Sequence, residues 1–164
     1  MPSPVDVTLP TDREIVVTRV FDAPADVLFD CHTKPELVRR WMLGPDGWTM
    51  PVCEIDLRVG GGYRYVWRSD ADGSEFGFRG EYREIAAPER LVHTEGFDGT
   101  EAGEAYDALC TLTLVEADGR TTLTQAMRFP STEARDQALQ TGMTDGMGTS
   151  YDRLEVLAGE RQAA

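Results

Sequence analysis

No stretch of this sequence stays apolar for the roughly 20 residues that a helix needs to cross a bilayer. Its opening, MPSPVDVTLPTDR, lacks the basic-then-apolar layout of a secretory signal. Residues 1–12 therefore read as a flexible lead-in, and a cytoplasmic location is expected. Cysteine is scarce: Cys31, Cys53 and Cys110 stand far apart, form no CxxC, and read as small hydrophobes. With only His32 and His93 and no HExxH, no metal site is expected. Positive charge is in short supply, 16 Lys and Arg against 29 Asp and Glu, for a net charge of −13. A phosphate backbone or an anionic membrane would be repelled, so neither is an expected partner, and the acidity reads as serving solubility. GxSxG, SxxK and GxGxxG are all missing, and the triple glycine at 60–62 lacks the Lys-Ser/Thr of a phosphate loop. No cofactor is expected.

What is present suits one domain. A chain of 164 residues, 41% hydrophobic, can bury a stable core. That domain is expected over 13–159, with 160–164 as a flexible tail. EIVVTRVF (14–21) alternates and is β-branched, which predicts a strand. Two short helices follow, ADVLFDCH after Pro24 and KPELVRRWM with Thr33 as its expected N-cap. Strands are predicted at 52–59, 62–68, 75–85, 90–97, 106–117 and 120–129, several separated by turn signals at Asp72-Gly73, Ala87-Pro88 and Asp118-Gly119. Such neighbours form an antiparallel meander. The acidic segment 97–105 is expected to be a mobile loop. Residues 131–159 read as one long helix with Ser131 or Thr132 capping it, and Leu139, Met143, Met147, Tyr151 and Leu154 make one apolar stripe. Gly142, Gly146 and Gly148 each cost that helix about 1 kcal/mol, so either it bends or its backbone approaches something closely. The fold class is α+β, in the order β-α-α-β6-α.

The stretch DLRVGGGYRYVW (56–67) launches a strand with aromatics at every second position. Tyr63, Tyr65 and Trp67 share one face of it, and Phe76, Phe78 and Tyr82 share one face of the next. These rings either fill a core or line a cavity opposite Met143, Met147 and Tyr151, with Trp41 and Met127 completing the lining. Among polar residues, His93 and Glu95 lie two apart on one strand and are the candidates for acid–base work, with Arg68, Gln125 and Asp56 as further polar groups. The strand gives no clean face, because Val92 is apolar too, and a half-exposed histidine beside a surface glutamate is the expectation. The acidic helix residues Glu133, Asp136, Asp145, Asp152 and Glu155 read as a solvated face.

The order and spacing of six segments carry a resemblance: REIVVTRVFDAPADVLFD (13–30), WMLGPDGW (41–48), DLRVGGGYRY (56–65), GEYREIAAPERLVHTE (80–95), DGRTTLT (118–124) and GMGTSYDRLEVL (146–157). The sequence resembles the START-like, helix-grip superfamily of polyketide cyclases and lipid-transfer proteins, in the branch of activators of heat-shock-protein-90 ATPase. The resemblance implies a curved antiparallel sheet wrapped around a long C-terminal helix, with a ligand cavity between them. The branch usually carries a glycine–tryptophan pair in its last helix. Here the pair is Gly146-Met147, which implies a more adaptable pocket. The leading functional expectation is binding of a small, largely apolar or aromatic molecule. A cyclase or dehydratase using the same pocket comes second. A chaperone co-factor comes last, because eukaryotic activators of that branch carry a further N-terminal domain and only about a dozen residues precede the first strand here. Homodimerisation through an edge strand is left open, with no motif for it.

Overall fold

In the computed structural model, residues 5–98 and 107–163 are described. Eight strands form one antiparallel sheet: β1 (Asp6–Thr8), β2 (Glu14–Phe21), β3 (Trp48–Ile55), β4 (Gly62–Ser69), β5 (Glu75–Ala86), β6 (Arg90–Phe97), β7 (Ala108–Ala117) and β8 (Arg120–Arg128). Their spatial order is β1-β2-β8-β7-β6-β5-β4-β3, so β3 to β8 run as a meander and β2 closes against β8. Helices α1 (Ala25–Thr33) and α2 (Pro35–Trp41) link β2 to β3, and α3 (Thr132–Gln140) and α4 (Met143–Ala163) follow β8. This is the expected helix-grip architecture.

Local chemistry explains the elements. In β2 every second residue is buried, Ile15, Val17, Arg19 and Phe21, and β7 repeats the pattern with Ala108, Cys110, Leu112 and Leu114. The Asp118-Gly119 turn has both residues at positive φ, +56 and +76, as a two-residue hairpin requires. Helix α1 starts after Pro24, which offers no side-chain cap. Instead the Ala25 amide donates to the Glu116 carboxylate of β7 at 2.7 Å, placing a negative charge at the helix N-terminus. Trp41 Nε1–H donates to the Cys31 carbonyl at 2.8 Å and ties α2 to α1.

Several expectations are corrected. The segment expected to be a lead-in carries β1, which pairs with Thr18 to Val16 of β2, and α4 runs through the expected tail to Ala163. The predicted strand 52–59 is shifted to Trp48–Ile55. It tolerates Pro51 because β3 is an edge strand, with an irregularity between Thr49 and Val52. Residues 56–61 instead make the turn into β4, with Gly60 at φ +87. Thr33 does not cap α2. Its hydroxyl donates to the Phe29 carbonyl at 2.9 Å, and Lys34 occupies the N-cap with Pro35 next. Ser131 does cap α3, accepting from the Ala134 amide at 3.1 Å. The long helix is broken: Gly142, at φ +78, ends α3, and its carbonyl accepts the first bond of α4 from the Gly146 amide at 3.1 Å. Of the acidic loop at 97–105, all but its first two residues lies outside the described residues.

Candidate functional site

Cross-strand partners share a face, so the registers fix which side chains look toward the helices. One row runs Ile15, Met127, Cys110, His93 and Tyr82. The next runs Val17, Gln125, Leu112, Leu91 and Ile85. Ile15, Val17, Leu112 and Leu91 belong to the buried core, which makes this the concave face. Glu95 has the same parity as His93 and stands opposite buried Ala108. Of the expected half-exposed histidine beside a surface glutamate, His93 is indeed partly exposed, but Glu95 points inward with it, and Val92 is the residue that turns to the other side. Gln125 also points inward, whereas Arg68 and Asp56 are exposed and paired with Glu75 and Arg58.

Around Glu95 the site is aromatic. Tyr63 packs on Tyr65 at 4.7 Å between ring centroids, on Tyr82 at 5.8 Å, and edge-on to His93 at 5.0 Å. The Tyr63 ring lies across β5 because residue 80 is glycine; a Cβ there would run into the Thr94 carbonyl and the ring itself. Tyr63 Oη then donates to the Thr94 carbonyl at 2.9 Å, and the same carbonyl accepts from His93 Nδ1–H at 3.0 Å. Glu95 is left with weak company, the Cys110 thiol at 3.9 Å from Oε2 and the Tyr63 hydroxyl beside it. Burial pushes its carboxyl up to about 7, only partly offset by those two neighbours. Burial likewise lowers His93, despite its bond to Thr94, and raises Tyr63 and Cys110. A carboxyl that is half ionised near neutrality, among rings, can give, take or hold a proton.

The predicted lining residues separate into two groups. Tyr63, Tyr65, Trp67 and Tyr82 are buried and packed on one another, as a filled core would have them, and Met127 is buried in the same row as Cys110 and His93. From this group a strip of rings leads outward: Trp67 stacks on Phe76 at 5.3 Å and Phe78 meets Phe97 at 5.2 Å. Phe76 is 44% exposed and Phe97 60%. Trp41 and Tyr151 belong elsewhere; they stack at 6.0 Å, with His32 edge-on to Trp41 and Phe21 edge-on to Tyr151. Met143 and Met147 are half-buried, α3 buries no side chain, and the first buried residue of α4 is Ser150. Polar Glu95, His93 and Gln125, though inward-facing, keep some accessible surface.

Sequence reasoning missed Arg19. It sits on the concave side of β2, 2% exposed, with Nη1 2.8 Å from Asp152 of α4 and its guanidinium over the Phe21 ring. Its Nε and Nη2, and the buried Oε2 of Glu155, have no partner among the described residues. Asp152 and Glu155 are therefore not simply a solvated face. The pattern signal was available, since Arg19 falls on the buried parity of β2. A separate cleft of about 230 Å³ opens on the outside between α2 and α4, lined by Arg40, Arg153, Val156, Leu157 and Glu160, and it includes none of the predicted lining residues. Cys31, Cys53 and Cys110 are buried free thiols, and among the described residues no three potential ligands gather as a metal site. Also among the described residues, no helix is long and apolar enough to cross a membrane.

Residues 22–159 match the family model described as Activator of Hsp90 ATPase homolog 1-like protein. A crystal structure of a protein from Rhodobacter sphaeroides superposes with a TM-score of 0.85 at 27% identity, covering 96% of this chain and 99% of that one. Protein Ms6760 from Mycobacterium smegmatis gives 0.82 at 25% identity, over 94% and 96%. An HSP90 activator from Plasmodium falciparum shares the fold alone, with a TM-score of 0.53 at 22% identity over 71% and 73%. No curated protein matches the chain.

Proposed function

We propose that this chain, which belongs to the Activator of Hsp90 ATPase homolog 1-like family within the START-like helix-grip superfamily, binds a small, largely apolar molecule on the concave face beneath α3 and the start of α4. The observation that carries this reading is the pairing of an inward-facing carboxyl with a loosely packed helical segment, whose Leu139, Met143 and Met147 are only partly buried and whose Arg135 is held at the Thr11 carbonyl. Glu95, His93 and Gln125 face inward yet retain accessible surface, and no residue of 132–149 is fully buried. The partly exposed rings Phe76 and Phe97 supply an apolar way in from solvent. A ligand that buries about 200 Å² of apolar surface gains on the order of 5 kcal/mol before entropy losses, enough for a useful affinity. Entry displaces half-buried Met143 and Met147, whose unbranched side chains re-pack readily.

Native mass spectrometry of freshly purified protein, repeated after denaturation, tests this. A stoichiometric extra mass that disappears on denaturation is the expected result, and its value gives the mass of the ligand. If none is carried, titration with a small apolar probe must still saturate at one site and be weakened in Phe78→Ala. Failure of both would sink the reading.

One observation favours a second reading. A carboxyl held at about 7 in a mostly apolar site is what a general acid–base group needs. A cyclase or dehydratase would use orientation for much of its rate and Glu95 for the proton. Turnover that survives Glu95→Gln unchanged would remove that role.

A further inference from the structure

Resting on the ligand-binding reading above, we propose that the molecule held is a small lipophilic amine. Its ammonium sits on the Glu95 carboxylate, and its apolar body lies along the Tyr63–Tyr65 wall. Charge and hydrogen-bond complementarity favour such a ligand. Among the described residues, the groups nearest Glu95 come from two strands besides its own, Tyr63 and Tyr65 on β4 and Cys110 on β7, with His93 on the same face of β6. None brings a positive charge. Among the described residues no arginine or lysine forms an ion pair with Glu95, while arginines on the other face of β4 and β5 pair with Asp and Glu repeatedly.

Among the described residues, the donors near the carboxyl are few, neutral and mostly shared with other acceptors. Tyr63 has one proton to share between the Thr94 carbonyl at 2.9 Å and the Glu95 carboxyl beside it, His93 spends Nδ1–H on that same carbonyl, and the Cys110 thiol is a weak donor at 3.9 Å. With Nδ1 protonated, neutral His93 offers Nε2 only as an acceptor. The site therefore presents acceptors and aromatic π-faces, all of which attract a cation bearing N–H groups. A carboxylate or phosphate ligand would meet no compensating charge here. The elevated carboxyl, lacking a cation to hold it ionised, fits the same picture.

Isothermal titration calorimetry at pH 8 with three matched probes tests this: 2-naphthylmethylamine, 2-naphthylmethanol and 2-naphthoic acid. At that pH a carboxyl of pKa about 7 is mostly ionised. The amine should bind about tenfold or more tightly than the alcohol, as a charge-assisted hydrogen bond warrants, and the acid should bind weakest. In Glu95→Gln the alcohol should bind as before and the advantage of the amine should vanish. Alcohol or acid binding as tightly as the amine would overturn the amine proposal and leave the binding function standing. An amine preference that survives Glu95→Gln would overturn Glu95 as the anchor. Binding of none of the three would overturn the binding function itself. The wild-type comparison needs no variant, so it decides even if Glu95→Gln does not fold.

Discussion

Leu154 of α4 has no exposed surface, while Met147, two turns earlier on the same stripe, remains half-buried. That contrast runs through the whole grip. At one end, α1, α2 and the second half of α4 close on Phe21, Leu28, Val38 and Cys31, all without solvent contact. Polar ties lock the same end: Trp41 to the Cys31 carbonyl, Arg19 to Asp152, and the Gly44 amide to Ser150 Oγ at 2.8 Å. At the other end, α3 and the first turns of α4 hold no fully buried residue, and Leu139, Met143 and Met147 are only partly buried against the core. Within the loose end, the left-handed backbone at Gly142 breaks α3 from α4. A sheet that grips one half of its helix tightly and leaves the other half loosely covered has stability and access in separate places, and elements of low local stability are where ligand-gated motion resides.

The largest test of the contrast is truncation. Leu154→Ala should cost about 3 kcal/mol or more in urea denaturation, as full burial requires. Leu139→Ala, in α3, should cost less than about 1 kcal/mol. Equal costs would erase the distinction.

Acid–base behaviour separates the ends next, and in opposite senses. Glu95 is raised from 4.5 to about 7 in the folded chain, so the stability it contributes is full below about 4.5 and lost as pH rises through about 7. His32 is buried against Trp41, with Nδ1–H donating to the Leu28 carbonyl at 2.7 Å. Burial lowers it from 6.5 to about 4, so its contribution is present above 6.5 and lost as pH falls through about 4. Each shift corresponds to at most about 3 kcal/mol. The two slopes offset one another between about pH 4.5 and 6.5, where their ranges overlap. Glu95→Gln should unmask the His32 slope, with stability rising from pH 4.5 to 6.5, and His32→Gln should unmask the falling slope of Glu95. Denaturation midpoints across pH would show it, and parallel profiles for the two variants would contradict it.

Two smaller effects sharpen the picture. Gly142→Ala, forced to positive φ, should cost about 1 kcal/mol. It should also change ligand affinity by altering how α3 joins α4, as calorimetry would report. Tyr63→Phe removes one hydrogen bond to Thr94 and should cost about 1 kcal/mol in chemical denaturation.

Much of the tight end was legible in the sequence, because it is built from alternation and stripes: β2 reads out its own buried face, and Tyr151 and Leu154 fall on the apolar stripe. The loose end was harder. Gly142, Gly146 and Gly148 look alike as letters, and only the backbone at Gly142 is left-handed. Glu95 and His93 could not be oriented because Val92 is buried on the opposite face, and the β5 irregularity between Tyr82 and Glu84 sets the facing register. Arg19 and Asp152 are separated by 133 positions, so their pairing exists only once the grip has closed.

The most direct test of the account is hydrogen exchange followed by mass spectrometry, with and without 2-naphthylmethanol. The account predicts that residues 132–149 exchange faster than 150–158 in the free protein, and that the probe slows exchange in 132–149 and in β4 to β6. Protection that appears instead around Arg40 and Glu160, or no protection at all at saturating probe, would contradict it.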